Sequence, residues 1–137
     1  MSSLYLPVLA QVTLTVLVFI TLAVVKAKAA KRGEIDRVKT ALHDDAWPES
    51  VMKVNNNIRN QFQTPVLFYV LCFMLVQLNA VGPVVLGLAW AFVATRVLHA
   101  WIHITSNFVP RRRAVFMLGC LILIGLLGMA VHALLTV

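Results

Sequence analysis

Arg96, His99, His103 and Asn107 recur at i, i+3, i+7 and i+11 within residues 81–109, a segment otherwise almost wholly apolar. At about 100° per residue this spacing makes one narrow stripe along a helix. The segment is long and apolar enough to sit in lipid, where an unpaired Arg at mid-depth costs at least roughly 2.5–3.5 kcal/mol. That cost predicts a compensating partner for Arg96. A row of cationic and imidazole groups in such a place is suited to holding an anion. Asn56, Arg59, Asn60 and Gln63 make a second polar stripe on the preceding segment, spanning an arc of about 100°. Arg111, Arg112 and Arg113 follow the first stripe. Two polar faces at one depth are expected to face each other or a shared cavity, with the three arginines at its mouth.

The elements that position these residues follow from composition. The chain has 137 residues, of which 61% are hydrophobic, and its mean hydropathy is +0.87. A soluble domain would be about 45–50% apolar. The chain reads as an integral membrane protein with a single all-α domain, residues 1–137. Spans are expected at about 4–25, 58–78, 83–109 and 114–135, each near the roughly 20 residues that cross a bilayer. A charged connection covers 26–55, and its front half can continue the first helix. The second helix is expected to start near Pro48 or Glu49, with a bend at Pro65. Gly82-Pro83 marks a tight turn. Pro110 is expected to end the third span and Arg111–Arg113 to fill the turn after it.

All of the 12 Lys and Arg except Arg96 fall on one side of this four-helix bundle. The positive-inside rule makes that side cytoplasmic and puts both termini on the other. With the third helix ending inside, a rise of 1.5 Å per residue puts His103 about 9 Å, His99 about 15 Å and Arg96 about 20 Å deep. The net charge of +7 therefore reads as topology and not as nucleic-acid binding. The five Asp and Glu all lie between Glu34 and Glu49. That distribution excludes a paired-carboxylate acid/base mechanism and a proton relay built on an intramembrane acid. It also weighs against a small four-span multidrug exporter. Cys72 and Cys120 sit mid-segment and suggest neither a disulfide framework nor a metal site. His99 and His103, at i and i+4, admit three readings: satisfied core histidines, ligands of a haem or metal, or part of the anion site. Metal ligation is not expected without a Cys, Asp or Glu nearby.

Arg59-Asn60-Gln61-Phe62-Gln63, followed by Pro65 and an apolar run, resembles the second-helix motif R-N-x-x-E of the MAPEG family, the membrane-associated proteins in eicosanoid and glutathione metabolism. Arg96-Val97-Leu98-His99 resembles that family's R-x-x-H motif in the third helix, and the basic turn follows at the expected separation. The resemblance covers nearly the whole chain and is nearest to the bacterial branch. It implies a multi-pass protein of the bacterial inner membrane, a left-handed four-helix bundle and a homotrimer. It also implies glutathione as cosubstrate, bound between neighbouring subunits near the cytosolic side, and a lipophilic small molecule as the second substrate.

Carried over by position, the resemblance has Arg59 and Asn60 hold the charged ends of glutathione. Gln63, Arg96, His99 and His103 complete the binding set, and Arg112 or Arg113 approaches the thiol. Two positions depart from the pattern. Gln63 stands where the family usually has a Glu facing glutathione's amino group, and His103 stands where the eicosanoid branch has Tyr. The implied activity is conjugation, peroxide reduction or isomerisation on lipophilic electrophiles. A non-catalytic binding protein on the same fold is the alternative.

Overall fold

The computed structural model describes residues 3–136, and among them all regular structure is helical. Helix α1 is Tyr5–Lys31, α2 is Arg37–Leu42, α3 is Glu49–Gln61, α4 is Thr64–Gln77, α5 is Pro83–Ile104 and α6 is Val109–Leu135. A single 3₁₀ turn, Asp44–Ala46, lies between α2 and α3.

Prolines start these helices. Pro7 and Pro65, Pro83 and Pro110 all lie in first turns, and Pro48 is the N-cap of α3. A first-turn N–H has no intrahelical acceptor, so its loss to proline costs nothing there. This corrects two expectations. Pro65 does not bend one long second helix: α3 stops at Gln61, two residues intervene, and Pro65 opens α4. Pro110 does not cap the third span. That helix ends at Ile104 rather than at 109, and Arg111–Arg113 form the first turns of α6 rather than a loop. Thr105, Ser106 and Asn107 stop α5. The Ser106 hydroxyl accepts from the Phe108 N–H, and Asn107 takes a left-handed φ of 50° while its N–H bonds the Ile102 carbonyl at 2.7 Å. Asn107 therefore leaves the helical stripe it was expected to share.

α1 extends into the charged connection as far as Lys31. Gly33, at φ 69°, closes it with a Glu34 N–H to Ala29 carbonyl bond. Asn79, at φ 53°, closes α4 in the same way through Ala80 and Leu75.

Consecutive long helices run antiparallel. Gln11 meets Gln61 and Lys26 lies over the Trp47 ring, which sets α1 against α3. Asn57 meets Ala100 and Asn60 meets Arg96, which sets α3 against α5. Gly119 lets α6 approach Thr95 of α5; a Cβ there would lie 3.1 Å from the Thr95 hydroxyl. The apolar core joins α1, α4, α5 and α6 around Phe68 and Phe92, stacked at 4.6 Å, with Leu4, Leu75, Val85 and Leu126 fully buried.

The outer surface is as greasy as the inside. Leu6, Leu9, Ile20, Leu67, Ile124 and Leu127 are all exposed. An apolar exterior on this scale belongs in lipid, not water. Helices α1, α5 and α6 are long and apolar enough to cross a membrane. The expected span at 58–78 falls across the break between α3 and α4, and α4 alone has 14 residues. That is about 21 Å, less than a hydrocarbon core of roughly 30 Å. The protein is an integral, multi-pass membrane protein.

Candidate functional site

The packing of α3 and α6 against α5 covers the stripe predicted on α5. Arg96 is 2% exposed, His99 3% and His103 3%. The His99 and His103 rings meet edge to face at 5.6 Å, and His99 lies 5.8 Å from Phe116 of α6. The Arg96 guanidinium lies 5.9 Å from the same Phe116 ring. Its Nη2 donates to the Asn60 carbonyl at 3.2 Å. That oxygen lies in the last turn of α3, where it also accepts from the Phe62 cap N–H and, at 3.4 Å, from the Gln63 N–H; a carbonyl has two lone pairs and can take both the backbone and the guanidinium.

One neutral carbonyl does not satisfy a buried guanidinium. Arg96 Nε, His99 Nδ1 and His103 Nδ1 are buried and make no hydrogen bond among the described residues. Three unmet nitrogens on a single helix face mark a place built for another molecule or for water. Beside them a cleft of about 220 Å³ is lined by Asn60, His99, Val109, Arg112, Arg113 and Phe116. Arg112 is held by its Nη1, which donates to Asn107 Oδ1 at 2.5 Å. The first turn of α6 thereby brings the Arg112 guanidinium, and the positive end of the helix, to the cleft wall.

Asn60, Arg96, His99, His103, Arg112 and Arg113 are therefore neighbours. Arg59 and Gln63 are not among them. Both are exposed, and Arg59 pairs with Asp44. Within one copy of the chain only Asn60 of the expected α3 stripe reaches the cleft.

The buried face of α3 is instead a set that sequence reasoning missed. Gln11 Nε2 donates to Gln61 Oε1 at 3.0 Å, Gln61 Nε2 donates to Asn57 Oδ1 at 2.9 Å, and Asn57 Nδ2 donates to the Ala100 carbonyl at 3.2 Å. This chain ties α1, α3 and α5 together directly behind the cleft. Its signal was present in the periodicity. Val51, Val54, Asn57 and Gln61 share one helical face, so the two apolar residues foretell which way the two amides point.

The MAPEG family model matches residues 4–132. The match covers nearly the whole chain, and the chain belongs to the MAPEG family. No curated protein and no solved structure matches it significantly.

Proposed function

We propose that the protein is a membrane-embedded, glutathione-dependent transferase or peroxidase that acts on lipophilic electrophiles. The observation that carries this reading is the convergence of His99, Arg112 and Arg113 on one cleft whose lining holds no Asp or Glu, with Arg96 beside its Phe116 wall. Such a site favours an anion, and family membership supports glutathione as that anion. The unmet nitrogens of Arg96, His99 and His103 suit carboxylate and peptide carbonyl oxygens.

Glutathione would supply the thiol. A free thiol has a pKa near 8.5 and is mostly protonated at neutral pH. Arg112 and Arg113, with the N-terminus of α6, favour the ionised sulfur, each pKa unit being about 1.4 kcal/mol. Arg96 and Asn60 orient the ligand, and the apolar helices concentrate the electrophile from the bilayer beside it. No protein nucleophile is required.

In this reading α3 and α4 together make a fourth crossing, the basic end faces the cytoplasm and both termini face away from it. The chain assembles as a homotrimer. Arg59 and Gln63, outward-facing at the level of Asn60, then meet ligand held against a neighbouring copy. Purified protein is expected to bind glutathione and to conjugate it to a chlorodinitrobenzene-type electrophile. Absence of both binding and conjugation would refute the reading. The replacement of the family's usual Glu by Gln63 favours one second reading, a binding protein on this fold. Binding without turnover would establish it.

A further inference from the structure

Glutathione carries two carboxylates and one ammonium, so a site matched to the whole molecule needs an acid as well as bases. The cleft lining has none. Elsewhere the chain has only five Asp and Glu side chains, all between Glu34 and Glu49. Four of them are already engaged. Asp44 pairs with Arg59, and Glu49 lies 2.8 Å from Lys53. Glu34 lies 3.8 Å from Arg32, and Asp36 caps α2 by accepting from the Val38 and Lys39 N–H groups. Asp45 lies exposed on the 3₁₀ turn. Further copies of the chain bring only these same five acids. The charge around the cleft is instead of one sign, from buried Arg96 to Arg112 and Arg113 on the wall. The one acid beside Arg59, Asp44, has its charge taken up by that arginine, so an ammonium against the cleft wall meets no free carboxylate in the lining and lies among guanidinium groups, a repulsion that low dielectric strengthens.

We infer that the cleft selects anionic thiols whose amino group is absent or acylated, in preference to glutathione with its free ammonium. This rests on the glutathione-type reading above and names the substrate class of the same site. A like-charge repulsion of this kind changes affinity by roughly an order of magnitude.

The test compares two ligands on the intact protein in lipid nanodiscs, by isothermal titration: glutathione, and the analogue in which hydrogen replaces its amino group. The analogue is expected to bind roughly tenfold more tightly. In an Asn60→Asp variant, which adds a carboxylate to the cleft wall, the preference is expected to shrink or reverse. Equal affinities, or tighter binding of glutathione by the wild-type protein, overturn the selectivity while leaving the glutathione reading intact. An unchanged preference in Asn60→Asp overturns its electrostatic origin. Binding of neither ligand overturns the glutathione reading, and the selectivity falls with it.

Discussion

Arg96 sits 2% exposed against one neutral carbonyl and an aromatic ring. A residue kept there for stability would have a carboxylate partner. Replacing an under-compensated buried charge by an apolar side chain is often neutral or stabilising. Arg96→Met is therefore expected to leave the thermal midpoint unchanged or raise it, and to abolish ligand-induced stabilisation. Scanning fluorimetry with and without glutathione reads both. A large fall in the ligand-free midpoint would make Arg96 structural. Arg112 lies on the cleft wall, anchored by Asn107. Its substitution by Gln is expected to reduce conjugation about tenfold or more while sparing the fold, since one pKa unit of thiolate stabilisation is tenfold in thiolate at fixed pH. Which residues would meet on α5 was legible from spacing alone, because a 3.6-residue period fixes a face. Asn107 was misplaced because Thr105-Ser106-Asn107 offers the backbone local bonds that end the helix.

The separation of α3 from α4 is the element-scale feature that the expected single helix, bent at Pro65, did not anticipate. A proline inside an apolar run is compatible with a kink or a restart, and tertiary packing chooses. The Asn60 carbonyl at the end of α3 accepts from Arg96, and the Asn57–Gln61–Gln11 chain holds α3 in register behind it. Asn57→Ala leaves the buried Gln61 Nε2 without its acceptor. It is expected to cost about 1–3 kcal/mol, the penalty for unmet buried polar groups, measurable by denaturation in detergent.

Glu49 begins α3, where its charge favours the helix N-terminus. The Lys53 hydrogen bond, then the Lys53 charge, hold its carboxyl below the ordinary value. A depressed folded pKa gives a contribution present above the unfolded value near 4.5 and lost as pH falls through the lower folded value. Glu49→Gln is therefore expected to destabilise at pH 7 and to become silent in strong acid. The pair is exposed, so the effect is small. On α6, Gly119→Ala pushes a methyl to 3.1 Å from the Thr95 hydroxyl, which is fixed by its bond to Phe92. A loss of about 1–3 kcal/mol is expected by the same measurement.

For the molecule as a whole, composition and charge placement foretold an all-helical membrane protein, and both the exposed apolar surface and the family match agree. The interruption of the second segment was less legible, because hydropathy counts apolar residues and does not register where a helix is broken. The reach of Arg59 and Gln63 was also illegible from spacing: both lie on the expected polar arc, yet packing turns them away from the cleft. Their outward position makes assembly the natural complement of the site. Native mass spectrometry is expected to give three copies per particle.

The central claim is that a cleft walled by guanidinium groups ionises a bound thiol at neutral pH. The ultraviolet difference absorbance of thiolate, recorded as glutathione is titrated into the wild-type protein and the Arg112→Gln variant at pH 7, tests it most directly. The account predicts a saturable thiolate signal in the wild type and its loss in the variant while binding persists. Saturable binding without any thiolate signal, or an equal signal in the variant, would contradict it.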